Sequence, residues 1–369
     1  HIERTKLENT DFTILRFYDF SLCRIFDFPK SSTFTKVVIV ARINLDFPGR
    51  RNHFDAHPSP LTHASAKVTP PEKLAYATYL ASTIEIPPPD DRDRFFVATR
   101  MLVYQILHDP KTRTQKSIPI LILVDPGVSQ SKRDRLEKDG AIVIPVDYVR
   151  PDTDWLKPHK PRWRDMMVKL RLWELEEYSR ILFIDSDTVL NRPFDDIFDE
   201  EAAQLRFTLL NTDAAPDEAV TATKYAMAGV LEVPRNHSYP PERNQYLSLS
   251  IFNGGFFVCA PSRILFHHYI SVLNIPNRFD SDLMEMALLN YAHRDEGPMP
   301  WARLPNTWNI RNPNKGDVVG GVASVHEKWW KADEFKLDSL LGDLFSEVRW
   351  KMQGFYVGRE RTGIEESLW

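Results

Sequence analysis

Short apolar runs, each closed by a polar or glycine-containing turn, recur along this chain from about Glu72 onward. Runs of this length read as strands buried on both faces of a sheet. Leu74-Ala75-Tyr76-Ala77-Thr78-Tyr79-Leu80 is the first. Ile120-Leu121-Ile122-Leu123-Val124, closed by Asp125-Pro126-Gly127, is the second, and Ala141-Ile142-Val143-Ile144 the third. Between them the spacing turns helical. Arg92 to Leu107 sets Phe96, Met101, Tyr104 and Leu107 on one face, and a polar helix from Ser129 to Lys138 stops at Gly140. A helix over Trp163 to Tyr178, with Met166, Leu170 and Trp173 on its core side, leads into Ile181-Leu182-Phe183-Ile184. Strand and helix alternate, which predicts an α/β fold: a Rossmann-like, mostly parallel sheet with helices on both faces.

The pattern is weaker at the two ends. Residues 1–70 carry one strand-like run, Thr35 to Ala41, and read as an extension or stem; residues 71–369 read as one catalytic domain. A Pro-rich acidic loop spans Pro87 to Asp91. Beyond the central run, Arg206 to Leu210 reads as a strand and 211–245 as a long loop region, where acceptor contacts tend to sit. Ser262 caps a helix to Leu273, and Leu283 to Tyr291 is another. The small apolar run Val318 to Val325 returns toward the sheet edge.

The chemistry gathers where the central strand stops, on Asp185-Ser186-Asp187. Carboxylates at the carboxyl edge of an open α/β sheet lie where such folds bind ligands. Two so close repel each other, so they call for a cation or a shared proton. Oxygen ligands suit Mg²⁺ or Mn²⁺, often completed by substrate phosphates. His326, after the small apolar run, is a candidate third ligand, since Mn²⁺ tolerates imidazole. Asn253-Gly254-Gly255, ahead of Phe256-Phe257-Val258, lets backbone approach a ligand closely. Asp282 and Glu285, three apart, are expected to share a helical face. Lys169 lies beside the apolar stripe of its helix and, from the helix alone, is expected to be solvated.

Composition removes several classes. With 369 residues and 43% of them hydrophobic, the chain can build a large core. A net charge of -4 provides no basic field for nucleic acid. Two cysteines cannot make a disulfide framework, and Cys259 reads as a buried thiol. No apolar run approaches the ~20 residues of a membrane span. The chain starts at His1 and reads as a piece of a longer protein. Its compartment depends on what precedes His1: an endomembrane lumen is expected if an anchor does, and the cytoplasm otherwise. Asn236-His237-Ser238 fits the glycosylation sequon.

Taken in order, these segments resemble the family 8 retaining glycosyltransferases, the glycogenin-like and galactinol-synthase-like group with the GT-A fold. The matching pieces are Lys169-Leu170-Arg171-Leu172-Trp173, the Asp185-Ser186-Asp187-Thr188 box, Pro193-Phe194-Asp195-Asp196, Phe252-Asn253-Gly254-Gly255, the helix from Asp282 to Asn290, and His326 with Lys328. Among such proteins the chain is most similar to fungal sugar transferases of the Golgi type. The resemblance implies that Asp185, Asp187 and His326 hold Mn²⁺ (or Mg²⁺) on the diphosphate of a UDP-sugar. It implies that Lys328 meets the leaving diphosphate and that Lys169, Asn253, Asp282 and Glu285 surround the transferred sugar. Ala77, Thr78 and Tyr79 would line the nucleotide pocket, with Ser186, Gly254 and Gly255 also at the donor. The acceptor, whether glycan, protein or small molecule, is not implied. The chain departs from the family at Glu285, where Asp is usual, at Met286 in place of Gln, and at Gly254 in place of Ser. His326 and Lys328 are also closer together than in glycogenin.

Two other readings compete. Asp185-Ser186-Asp187-Thr188-Val189 fits the first motif of haloacid-dehalogenase-type phosphatases, with Asp185 as nucleophile, although that motif normally opens its domain. Met286 also fits a nucleotide-sugar-binding protein that has lost catalysis.

Overall fold

Four of the predicted apolar runs form adjacent strands of a seven-stranded sheet, three of them buried and the third in sequence at its partly exposed edge. They are Leu74–Leu80 (β1), Ile120–Val124 (β2), Ile142–Pro145 (β3) and Arg180–Ile184 (β4). Arg94–Leu107 (α1) and Gln130–Lys138 (α2) connect the first three, α1 capped by the Asp93 carboxylate and α2 preceded by Ser129. The chain then turns through the short strands Thr188–Leu190 (β5), Arg206–Phe207 (β6) and Lys224–Tyr225 (β7) to Met227–Leu231 (β8) and Phe252–Cys259 (β9). Arg263–Leu273 (α3), Met284–Ala292 (α4), Ala302–Arg303 (β10), Ile310–Arg311 (β11), Lys315–Val319 (α5), Ser324–His326 (β12), Ala332–Phe335 (α6) and Ser339–Thr362 (α7) complete it. The computed structural model describes residues 72–82, 93–160, 163, 165–210 and 215–362. The predicted extension over 1–70, its strand at 35–41, and the loop at 87–91 lie outside the described residues.

The strand order is β10-β8-β9-β4-β1-β2-β3. β1 pairs in parallel with β2 and β4, β2 with β3, and β8 with β10, while β9 runs antiparallel to both β4 and β8. This is the predicted mostly parallel α/β sheet. A second sheet, β11-β12-β5, stands beside it, with β12 parallel to β11 and antiparallel to β5. Apolar side chains pack on both faces of the large sheet. On one face Phe183 stacks on Phe257 at 5.1 Å, and the Trp173 ring meets Tyr269 edge-on at 4.9 Å. Each such side chain, fully buried, contributes about 1.5–3 kcal/mol relative to exposure.

Three expectations change and one helix is added. The segment 211–245 is not all loop, because β8 within it is a buried strand of the main sheet. Its sequence, Met-Ala-Gly-Val-Leu, carries two residues of weak strand propensity. Packing demands one of them: a Cβ on Gly229 would lie 2.9 Å from that of Phe252. The predicted helix over 163–178 is a 3₁₀ helix, Met166–Glu174, in which Met167, Leu170 and Trp173 recur every third residue and are wholly buried. The predicted strand at 206–210 shortens to two residues. The sequence reading missed α7, although Leu341, Phe345, Val348, Met352 and Tyr356 follow helical spacing and pack with Val97, Met101 and Tyr104 of α1. Gly342, Gly354 and Gly358 weaken the helical signal there.

Candidate active site

β4 ends at Ile184 and β5 begins at Thr188, so Asp185-Ser186-Asp187 is the whole connection between these two strands, one in each sheet. Asp185 is pinned to β9 by its amide, which donates to the Gly255 carbonyl at 2.8 Å. His326 arrives on β12 directly opposite Thr188 of β5. The three elements bring Asp185, Asp187 and His326 together, with one ligand atom from each lying within 4.8 Å of the others. His326 Nε2 is 3.0 Å from Asp187 Oδ1 and 3.8 Å from Asp185 Oδ2. Its Nδ1 is buried without a hydrogen-bond partner among the described residues, so β12 itself aims the ring. Lys328, two residues on, places Nζ 3.0 Å from Asp187 Oδ2. Ser186 is buried in the turn between the two aspartates.

Gly255 supplies the space this requires. A Cβ there would lie 2.6 Å from Asp185 Oδ2, 2.7 Å from His326 Cε1 and 2.9 Å from Asn253 Oδ1. Asn253 is buried beside it, its Oδ1 accepting the Gly255 amide at 2.8 Å and its Nδ2 donating to Glu232. The sequence expectation placed these glycines ahead of a strand. They lie inside β9, where they let α4 and the acidic turn close on the sheet, and a Cβ on Gly254 would meet Met286 at 2.9 Å.

Lys169 is the clearest correction. Expected in solvent, its side chain is 3% exposed and its ammonium sits between two carboxylates, 3.0 Å from Asp185 Oδ1 and 2.9 Å from Glu285 Oε1. It also donates to the Gly254 carbonyl at 3.3 Å and lies over the Phe183 ring. Helical periodicity cannot reveal this, because both acids come from elements distant in sequence. Burial opposes the charge on Lys169, but Asp185 and Glu285 outweigh it and hold the ammonium protonated above its ordinary range. Burial raises Glu285, with Lys169 acting against the shift. Burial likewise works against ionised Asp187, and the charges of His326 and Lys328 overcome it, holding this carboxyl well below its usual range.

Asp282 and Glu285 do not share a helical face. Met284 has a φ of 51°, which breaks the chain between a 3₁₀ turn at Ser281–Leu283 and α4. Glu285 is turned inward to Lys169, whereas Asp282 stays exposed on the turn, its amide held by Asp280. At β1, Ala77 and Thr78 are packed into the sheet with no exposed surface. Tyr79 donates its hydroxyl to Asp125 Oδ2 at 3.0 Å, and the same carboxylate takes the Ser82 and Gly127 amides. Asp125, read in the sequence only as a turn residue, therefore organises the carboxyl ends of β1 and β2. Glu232, Arg235 and Arg311 also went unread. Each is a lone charge in a loop or short strand, and only the fold brings them to the site. Glu327 ties the end of β12 down: its amide donates to the Asp187 carbonyl at 3.1 Å and its carboxylate takes the Lys328 amide and Arg235.

Two carboxylates and one imidazole form a donor set of hard oxygen with one borderline nitrogen, which fits Mn²⁺ or Mg²⁺. No family model matches the chain. An uncharacterized protein of Schizosaccharomyces pombe, C5H10.12c, is 30% identical over 271 residues, 66% of this chain and 71% of that protein. Galactinol synthase 7 of Arabidopsis thaliana is 23% identical over 218 residues, 58% of this chain and 64% of that protein. The galactosyltransferase LgtC, solved with donor and acceptor sugar analogues, superposes with a TM-score of 0.42 at 12% identity over 71% of this chain and 94% of that one. The seven-stranded sheet is the mixed, mostly parallel α/β architecture that the sequence pattern predicts, with the acidic turn at the end of β4. By sequence the chain groups with C5H10.12c, and its low-identity similarity to galactinol synthases supports a family 8-like glycosyltransferase. The phosphatase alternative is not favoured.

Proposed function

We propose that residues 71–369 form the single catalytic domain of a metal-dependent retaining glycosyltransferase, which moves a hexose or N-acetylhexosamine from a UDP-sugar to an acceptor. The observation that carries this reading is the convergence of Asp185, Asp187 and His326 beside the buried Lys169–Glu285 pair. Asp185, Asp187 and His326 would hold Mn²⁺ or Mg²⁺, which supplies positive charge to the diphosphate as the glycosidic bond breaks. Lys328 turns its ammonium toward the same place and would stabilise the leaving diphosphate. Lys169 holds Asp185 and Glu285 in fixed orientation, so the ligand face and the sugar face share one rigid support. Asn253 presents an amide whose orientation is set by Gly255 and Glu232, which suits it to a sugar hydroxyl. The uridine would lie at the carboxyl end of β1, over Tyr79 and against the backbone that follows the buried Ala77 and Thr78. Asp282, on its exposed turn, would meet the sugar from the solvent side.

Calorimetric titration of UDP-glucose, UDP-galactose and UDP-N-acetylglucosamine, with Mn²⁺ and then with EDTA, tests the proposal without needing the acceptor. Binding of one of them that collapses in EDTA is expected. Absence of binding to all three and to UDP would refute the donor reading.

A further inference from the structure

β11 is two residues long, yet it lies directly against the strand that carries His326. In the parallel pair β11–β12 the Cα partners are Ile310 with Val325 and Arg311 with His326. Partner residues on neighbouring strands, ~4.8 Å apart, send their side chains to the same face of the sheet. Arg311 therefore projects beside the imidazole that meets Asp185 and Asp187. Its position is fixed: Nη1 donates to both oxygens of Glu232, at 2.9 and 2.8 Å. Glu232 in turn accepts from Asn253, and Asn253 accepts from Gly255, the residue packed against Asp185 and His326. A continuous polar chain thus runs from the ligand cluster out to an exposed guanidinium.

The other cations around the cluster are engaged within the protein. Lys169 is spent on Asp185, Glu285 and the Gly254 carbonyl. Lys328 Nζ is held by Asp187, and Arg235 by Glu327 and the Pro313 carbonyl. Arg311 uses only Nη1, on one carboxylate; its Nη2 and Nε make no hydrogen bond among the described residues, and its side chain is 43% exposed. The carboxylates of Asp185, Asp187, Glu232, Glu285 and Glu327 all lie in this neighbourhood. An anion entering beside them needs a cation that can turn toward it, and a planar guanidinium matches phosphate oxygens in pairs.

We infer that Arg311 is a diphosphate-contacting residue of the donor site, held ready by Glu232 and delivered to the phosphates beside His326. The inference rests on the nucleotide-sugar reading above and extends it to a residue that motif spacing did not mark. Glu232 sets the position of Arg311 and shares its charge with the ligand.

The test is calorimetric titration of the Mn²⁺-loaded protein with UDP, UMP and uridine. R311Q is expected to weaken UDP about tenfold or more, the range of a charge-assisted hydrogen bond, to flatten the salt dependence of UDP binding, and to leave uridine unchanged. R311K should recover part of the loss. E232Q should act in the opposite direction, binding UDP at least as tightly as wild type, because its single amide oxygen can still accept from Asn253 and Arg311 at the Oε1 position while the second acceptor and the competing charge are removed. A purely structural role would weaken both variants alike, so weakening by E232Q equal to that by R311Q overturns the inference. So does a folded R311Q that binds UDP as wild type does. If wild type itself binds no UDP, the donor reading falls first.

Discussion

Gly255→Ala isolates the geometry of the ligand cluster from the stability of the fold. Ordinary contact with a Cβ begins near 3.4 Å, and the new methyl would lie 2.6 Å from Asp185 Oδ2 and 2.7 Å from His326 Cε1. One acid oxygen must retreat by about 0.8 Å and the imidazole by about 0.7 Å, or the strand must bend. Metal ligands tolerate about 0.2 Å, so the displacement exceeds the tolerance three- to fourfold. Displacing two of three protein ligands is expected to weaken Mn²⁺ by about 100-fold, the upper end of what disturbing a ligand's support costs. Overpacking one methyl in β9 should lower stability by about 1–3 kcal/mol, which a domain of this size survives. The assay is Mn²⁺ affinity by paramagnetic resonance or calorimetry, beside a denaturation midpoint. Gly254→Ala is the control, since its methyl meets the Cβ and Cγ of Met286 on α4 rather than a ligand atom and should cost stability while sparing Mn²⁺. Wild-type Mn²⁺ affinity in a folded Gly255→Ala protein would refute the placement of the cation among Asp185, Asp187 and His326.

Asp187→Asn, which keeps size but removes charge from a ligand, should lower turnover by roughly 100-fold or more; near-normal turnover would exclude a metal role for this residue. Lys169→Met strands Glu285 in the core and should lower unfolding free energy by about 3–5 kcal/mol, whereas the double variant with Glu285→Leu should regain a large part; additive losses in urea denaturation would show that the pair does not act as a unit. Burial pushes the His293 pKa down to about 3, with Tyr269 and the Met299 carbonyl holding the neutral ring, while the unfolded chain takes up that proton near pH 6.5. Its contribution to stability is therefore complete above pH 6.5 and lost as pH falls from there toward 3. The slope is about 1.4 kcal/mol per unit, or roughly 2 kcal/mol between pH 6.5 and 5. His293→Gln should flatten that part of the stability curve, and an unchanged slope would contradict the assignment.

What could be read from the chain follows the range of the interaction involved. β1, β2 and β4 were legible because an apolar run between turns has few ways to bury itself, and Ser262 announced α3 by capping it. Asp185, Asp187 and His326 were marked by their residue types at the ends of such runs. Lys169 was misjudged because its burial depends on carboxylates 16 and 116 residues further along the chain. Asp282 and Glu285 separated because a single left-handed residue, Met284, interrupts the helix that their spacing implies.

Local pattern was enough for the α/β class, the order of the central strands along the chain and the position of the acidic turn, since each depends on the burial needs of a few adjacent residues. The pairing of β9 against β4, the closeness demanded at Gly255, the ion pair buried with Lys169 and the chain from Arg311 to Asn253 exist only once the sheet has assembled. Charges distant in sequence acquire a shared role only when a fold places them within hydrogen-bonding reach and withdraws the water that would otherwise screen them.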